Sequence, residues 1–328
     1  MKRVWAGRLL LFFAPLLVAA AISELWLRAQ VGISSVTPFE RSDMNGVAHE
    51  LRPNFKTLYK GHEVETNSYG FRDSDVDSWD PDSYRLALTG DSFTFGNGIS
   101  ADSTLPALLE SRLRKNVADV QVLNCGVPGY NAPNVQQLLQ HRVLPLKPDF
   151  VVYVFMPNDV EPSRLPADIP ADATIDSFHN FPLGSALLQW GGVRVKQTLR
   201  KMGAASTSGS IAKVARSFHE GGRQRVSLAL SAMKQLCLEH EIPFAVATYP
   251  FLATPNPYTE IDNWVLAYCK AHKIPTINLR EAYPPEEDLS NYWTNIFDPH
   301  PNRASNLLVA NYMAEQLDQD LLKQTADQ

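Results

Sequence analysis

Cysteine is scarce in this chain: Cys125, Cys237 and Cys269 are the only three in 328 residues, with no C-x-x-C pair and no Cys/His ligand spacing. Neither a zinc site nor a disulfide framework is signalled, and small buried thiols are the expected state. Cys237 and Cys269 both fall on predicted helices, so they could pair in an oxidising compartment. Positive charge is in deficit, with 30 Lys and Arg against 35 Asp and Glu and a net charge of -5. The chain therefore lacks the basic stripe that a phosphate backbone requires, which argues against nucleic acid as a partner. His49, His62, His141, His179, His219, His240 and His272 show no H-E-x-x-H or paired-ligand spacing. Gly96-Asn97-Gly98 lacks both the G-x-G-x-x-G spacing and a P-loop lysine, so no metal and no nucleotide cofactor is expected.

Long apolar runs are also missing, since none reaches, uninterrupted, the roughly 20 residues that span a bilayer. The nearest approach is residues 9–22, which follow Met1-Lys2-Arg3 and Arg8 and continue through Ser23 and Glu24 to Leu27. Residues 1–30 thus read as a membrane-directing segment. A cleaved signal peptide, cut after the small residues Ala19-Ala20-Ala21, is one form of it. An uncleaved anchor is the favoured form, because Trp5 and Trp26 bracket the run and Glu24 and Arg28 fall near its far interface. In both, the leading positive charges stay cytoplasmic and the rest crosses, which places the main domain outside the cytoplasm: periplasmic or extracellular, tethered in one case and secreted in the other.

Residues 31–83 are polar and broken by Pro38, Pro53 and Pro81, with no sustained period, and read as a stalk and lead-in. Strands are predicted at 84–89, 120–124 and 150–155, then at 243–248 and, more weakly, 275–278. Between them lie helical faces. Leu105, Leu108, Leu109 and Leu113 follow an Asp102/Ser103 cap, Val226, Leu230, Met233 and Cys237 form a second face, and Leu307, Ala310, Ala314, Leu317 and Leu321 a third after Pro301. Strands alternating with helices predict an α/β fold, a parallel sheet covered on both faces. The domain is set at 84–322, with 323–328 as a tail. An insertion at about 161–224 interrupts the rhythm; its small polar stretch 203–210 and apolar stretch 178–190 suit a mobile lid or a peripheral excursion.

In an open parallel sheet, ligands bind beyond the carboxyl ends of the strands, and the residues there are chemical ones. The first strand ends in Gly90-Asp91-Ser92, the second in Asn124-Cys125-Gly126-Val127-Pro128-Gly129, the third in Met156-Pro157-Asn158-Asp159; Asp298-Pro299-His300 precedes the last helix. A serine hydroxyl becomes a nucleophile when a base takes its proton and a third group holds that base's tautomer. Ser92, His300 and Asp298 can fill these roles. The Ser92 and Gly129 backbone N–H groups and the Asn158 amide could form an oxyanion hole.

These four blocks, in this order, resemble the SGNH/GDSL hydrolase family, and the lead-in segments Asn67-Ser68-Tyr69-Gly70-Phe71-Arg72 and Arg52-Pro53-Asn54 resemble those of its membrane-anchored members. The resemblance implies a three-layer α/β/α sandwich with a flavodoxin-like sheet and assigns Ser92, Gly129, Asn158 and His300 to the family's blocks, with Gly129 preferred to Gly126. Two departures stand out. The third block reads Met-Pro-Asn-Asp where Gly-x-Asn-Asp is common, and Asp298 lies two rather than three residues before His300, which leaves Asp288 as a substitute acid. Asp91 and Asp159 are expected in structural hydrogen bonds. The implied function is an esterase working through an acyl-enzyme on Ser92, with no cofactor, acting on an acetylated carbohydrate, a lipid or a small acyl ester. O-acyl transfer to an exported polysaccharide and a non-catalytic anchored glycan-binding module are the alternatives. His179 could line the pocket, and Trp190, Tyr292 and Trp293 could stack on a sugar or pack in the fold.

Overall fold

A computed structural model describes residues 14–26, 37–75, 78–80, 82–117, 119–163, 209–295 and 298–326. Residues 14–26 form a helix, α1. Its Leu16, Leu17, Val18, Ile22, Leu25 and Trp26 are exposed. No helix among the described residues is long and apolar enough to cross a membrane; residues 1–13 and 27–36, which flank α1 in the membrane-directing segment and beyond, lie outside them.

The lead-in is folded. Strands β1 (Phe39–Arg41) and β2 (His49–Leu51) pair antiparallel, as do β3 (Lys56–Tyr59) and β4 (His62–Glu65). Strands of three or four residues are too short to declare a period, which is why the segment reads as a stalk. Its apolar residues nonetheless sit in the main core: Met44, Val47, Leu51, Tyr59, Val64, Phe71 and Trp79 share one cluster with Phe95 and Leu123. The two lead-in motifs serve this packing. Arg52 Nε donates to the Phe39 carbonyl at 3.0 Å, and the Asn67 side-chain oxygen accepts from the N–H groups of Tyr69 and Phe71, both at 3.0 Å.

The central sheet holds β5 (Tyr84–Gly90), β6 (Val120–Gly126), β7 (Phe150–Phe155), β8 (Phe244–Thr248) and β9 (Thr276–Asn278), all parallel, in the spatial order β6-β5-β7-β8-β9. Every residue of β7 is buried, as a strand covered on both faces requires. Alternation sorts the side chains. Ala87, Leu123, Val151, Tyr153 and Val246 face one layer, containing α4 (Ala132–Leu138), α6 (Arg223–Glu239) and α7 (Thr259–Ala271); Leu86, Leu88, Val122, Val152 and Val154 face the other, containing α3 (Leu105–Leu113) and α8 (Arg303–Ala326). Val226, Leu230 and Met233 of α6 are fully buried, each contributing roughly 1.5–3 kcal/mol of burial free energy. The result is the three-layer sandwich of flavodoxin-like strand order. The cap of α3 falls on Thr104, whose hydroxyl accepts from Ala107 N–H at 3.4 Å, while Asp102 and Ser103 lie in a preceding 3-10 turn.

Of the insertion, residues 164–208 lie outside the described residues, and with them His179 and Trp190. Its end packs on the core through Val214 of α5 (Gly209–Ser217) and through Phe218. Tyr292 and Trp293 also pack in the fold: the Tyr292 ring sits 5.2 Å from Tyr283, and the Trp293 indole N–H donates to the Leu252 carbonyl. Cys125, Cys237 and Cys269 are free, buried thiols.

One lead-in residue bears directly on the site. Arg72, 5% exposed, donates to the carbonyls of Phe95 (3.2 Å), Gly96 (2.7 Å), Glu63 (3.2 Å) and Ile99 (2.8 Å), with its guanidinium 5.1 Å from the Phe95 ring centre. Burial pushes its pKa down to about 10, so it stays charged at neutral pH. Arg72→Met would strip four carbonyls of a charged donor and is expected to cost about 2–4 kcal/mol in urea unfolding. A change under about 0.5 kcal/mol, the ordinary size for a neutral surface substitution, would show that the clamp does not hold the lead-in to the sandwich.

Candidate active site

At the end of β5 the chain turns sharply into the short helix α2 (Ser92–Phe95). Asp91 caps it, one carboxylate oxygen accepting from Phe93 N–H at 2.9 Å. Ser92 is thereby set at the carboxyl edge of the sheet, beside the gap between β5 and β7 where the strand order reverses and ligands are expected. α2 rests directly on β6, because a Cβ at Gly126 would collide with the backbone nitrogen of Phe95. Gly126 is therefore a packing glycine. Gly129 differs: it is exposed, with φ +83, and its surroundings open except toward the ring of His49, 3.6 Å from where a Cβ would lie. His49 steadies this turn, its Nε2 lying 2.8 Å from the Pro128 carbonyl, while Tyr130 donates back to the His49 carbonyl at 2.7 Å.

After β7, extended Met156 leads into the 3-10 turn Pro157–Val160. Proline suits the first position of that turn, where no N–H is needed, so the Met-Pro pair delivers Asn158 without the usual glycine. The Asn158 amide donates to the second Asp91 oxygen at 3.2 Å. An amide nitrogen carries two hydrogens, so this bond orients the group and leaves one donor to offer. Asp159 points inward, accepting from Tyr153 Oη (2.7 Å) and Met156 N–H (3.0 Å). Burial and then the Asp91 charge push its carboxyl well above the ordinary range; burial also raises Asp91, against the Phe93 and Asn158 donors.

The histidine arrives on a hairpin, β10 (Trp293–Asn295) against β11 (Asp298–Pro301). Residues two apart on a strand share a face, so in this strand a two-residue spacing puts Asp298 and His300 side by side. His300 Nδ1 hydrogen-bonds Asp298 Oδ1, and Nε2 lies 2.8 Å from Ser92 Oγ. The His300 carbonyl accepts from Thr294 Oγ1 at 2.8 Å, and the imidazole sits 5.2 Å from the Phe93 ring. Beyond Pro301, Asn302 accepts from Ser305 N–H at 3.0 Å and starts α8. Asp288 is elsewhere, capping its own 3-10 turn through Ser290. Burial alone would raise the Asp298 carboxyl, but the His300 hydrogen bond, the charges of His300 and Lys60, and the His300 N–H hold it well below the ordinary range.

Two neighbours of this constellation carry no motif in the sequence. Asn97 Nδ2 lies 3.4 Å from His300 Nε2, and Lys60 Nζ lies 3.4 Å from Asp298 Oδ2. Lys60-Gly61 is readable as a hairpin turn, but a contact across 238 positions is not. Among the described residues no cluster of three or more His, Cys, Asp or Glu could hold a metal ion. The assembled groups can deprotonate Ser92 as it attacks an electrophile and can present hydrogen-bond donors to the charge that develops.

The profile of the GDSL-like lipase/acylhydrolase family matches residues 88–306. No curated protein sequence matches the chain. Among solved structures, a lipase/acylhydrolase from Enterococcus faecalis is similar at 18% identity, covering 72% of this chain and 96% of its own, with a TM-score of 0.40. A GDSL-like lipase from Bacteroides thetaiotaomicron is similar at 15% identity, 73% and 88% coverage, and a TM-score of 0.39. A catalytic mutant of an acetylxylan esterase from Geobacillus stearothermophilus is similar at 12% identity, 71% and 93% coverage, and a TM-score of 0.42. Since the family profile runs from within β5 to the start of α8 and spans Ser92, Gly129, Asn158, Asp298 and His300, this enzyme belongs to the GDSL-like lipase/acylhydrolase family.

Proposed function

We propose that the protein is a serine esterase that hydrolyses a carboxylic ester through an acyl-enzyme on Ser92. The observation that carries this reading is the continuous chain from Asp298 through His300 to Ser92 Oγ, the last link 2.8 Å long. Asp298 fixes the Nδ1–H tautomer, so Nε2 is free to accept the Ser92 proton as Oγ attacks the ester carbonyl. The carbonyl oxygen becomes an oxyanion, for which the N–H groups of Ser92 and Gly129 and the second Asn158 hydrogen are the donors. His300 then gives its proton to the leaving alcohol. A water molecule, deprotonated by the same Nε2, attacks the acyl-enzyme, and collapse of the second tetrahedral intermediate returns the proton to Ser92 and releases the acid.

Asn158→Ala removes one of three oxyanion donors and is expected to lower kcat by about 10²–10³-fold with little change in KM. An unaltered kcat on a nitrophenyl ester would exclude the side chain from the hole. The reading as a whole is tested by a fluorophosphonate probe on the folded protein. Stoichiometric labelling at Ser92, slowed when an excess of an ester substrate is present in competition, is the expected result; a failure to label would leave a binding module rather than an enzyme. Turnover of acetyl and long-chain nitrophenyl esters then sorts carbohydrate-type from lipid-type acyl groups, and acyl transfer to a sugar hydroxyl in place of water would recast the enzyme as a transferase.

The cationic lead of the sequence and the exposed apolar side chains of α1 support an extracytoplasmic location for the esterase, tethered or secreted through residues 1–30. Protease accessibility of the domain is expected in cells whose outer envelope has been opened while the cytoplasmic membrane stays intact. Protection that persists until the cytoplasmic membrane itself is lysed would place it in the cytoplasm.

A further inference from the structure

The turn that carries Lys60 is unusual for the residue it holds. Tyr59 and His62 pair across a two-residue loop in which Lys60 has φ +47 and Gly61 φ +80, the type I′ geometry that matches strand twist. Asn, Asp or Gly is the ordinary choice at the first of these positions, since a β-carbon in the left-handed region costs roughly 1–2 kcal/mol. Lys147 and Lys273 also stand at left-handed turns, with φ +51 and +54; what sets Lys60 apart is the carboxylate that its side chain reaches.

The turn is also rigidly placed. Tyr59, 6% exposed, packs edge-on against Phe95 of α2 at 6.4 Å and against Phe39 at 5.7 Å, and Arg72 ties the β4 carbonyl of Glu63 to the loop after the nucleophile. From this base the Lys60 ammonium reaches Asp298 Oδ2 at 3.4 Å, in a pair whose side chains are only 26% and 18% exposed. The other carboxylate oxygen, Oδ1, takes His300 Nδ1 and, at 3.1 Å, the His300 N–H. Both oxygens are thus engaged, and rotation of the carboxylate away from the imidazole is opposed from each side.

We propose that Lys60, delivered by the β3–β4 turn, is a positioning residue of the active site: it clamps Oδ2 of Asp298 so that Oδ1 stays aligned on His300. This rests on the reading of Ser92, His300 and Asp298 as a hydrolytic triad. It makes the lead-in part of the catalytic apparatus, because the chain cannot hold the clamp without the two hairpins. Lys60 also acts by charge. Asp298 faces His300 and Lys60; His300 faces Asp298, Ser92 and Asn97 and feels the buried Asp91; Lys60 faces Asp298, with His62 opposite Tyr59 at the base of the turn. A positive charge behind Asp298 opposes protonation of the imidazole beyond it, so removing that charge favours the protonated base and moves the acidic limb of the rate profile to higher pH.

The decisive variant is Lys60→Gly in the full chain, assayed on a short nitrophenyl ester beside wild type, Lys60→Arg and Ser92→Ala. Glycine relieves the turn, so the unfolding midpoint is expected to stay level or rise, while kcat/KM falls about tenfold, mostly in kcat, with the acidic limb displaced upward. Lys60→Arg restores both rate and limb. In an Asp298→Asn background Lys60→Gly has no further effect, since the partner is already gone. Unchanged kcat/KM and limb in Lys60→Gly would overturn the clamp, as would a loss that arginine does not rescue and that leaves the limb in place. If Ser92→Ala keeps wild-type turnover, the triad reading itself fails; if activity depends on Ser92 and Lys60→Gly is silent, only the clamp does.

Discussion

Ser92→Ala is expected to lower kcat for ester hydrolysis by about 10⁶-fold, the loss seen when a hydrolytic nucleophile acting within a triad is deleted, while the protein stays folded. Ser92 Oγ is the atom that His300 Nε2 addresses at 2.8 Å, and no neighbouring hydroxyl stands within hydrogen-bond reach of that nitrogen among the described contacts. Residual turnover would come only from the oxyanion donors and substrate binding, which act on water attack without a covalent intermediate. The structural cost is modest, since the change removes one hydroxyl that is 9% exposed, with its bond to the imidazole and its 3.4 Å bond to Asp91, about 1 kcal/mol each. The variant should therefore bind substrate with a similar Kd, show no burst of alcohol release and resist the fluorophosphonate. A kcat within tenfold of wild type would remove Ser92 from the mechanism.

What the sequence could and could not show divides along physical lines. β5, β6, β7 and β8 are apolar runs flanked by turn residues, and the expected spans differ from the observed ones by at most two residues at an end; β7 coincides. Ser92, Asn158, Asp298 and His300 stood out as candidates because each follows a sheet element or precedes a helix, and the structure joins Asp298, His300 and Ser92 by hydrogen bonds, with Asn158 bonded to the neighbouring Asp91. The two glycines were a harder case. Gly126 and Gly129 are alike in composition, and only the collision a side chain at Gly126 would meet separates a packing role from an exposed turn. The spacing of Asp298 from His300 departs from the family habit on paper, yet the extended backbone of β11 makes two residues the natural interval. The lead-in was the least legible part. Its strands are too brief to show alternation, and its contributions, Arg72 on the Phe95–Ile99 loop, His49 on Pro128 and Lys60 on Asp298, are contacts between distant positions. Long-range pairing leaves no local pattern to read.

Asp298→Asn tests the orientation of the proposed base rather than its presence, and its effect should be large though smaller than that of Ser92→Ala. An asparagine at this site can turn its amide NH₂ toward His300 Nδ1, which then serves as acceptor, so that the proton moves to Nε2 and the face toward Ser92 becomes a donor. A base of that tautomer cannot take the Ser92 proton, and kcat is expected to fall about 10⁴-fold with KM little altered. The wild-type carboxyl is held well below the ordinary range by His300 and Lys60 despite its burial, so it is ionised throughout pH 5–9 and the deficit of the variant should be constant across that span. Stability gives an independent reading with the opposite dependence. A carboxyl whose folded pKa is depressed adds stability that is fully present above its unfolded value, roughly pH 4, and is lost as pH falls through the folded one. The wild-type advantage over Asp298→Asn in denaturant unfolding should therefore be level at neutral pH and shrink on acidification below about pH 4. An advantage that grows as pH falls, or a kcat loss under tenfold, would mean that Asp298 neither bears the charge nor sets the tautomer, and Asp288 would have to reach the imidazole by a rearrangement of its turn.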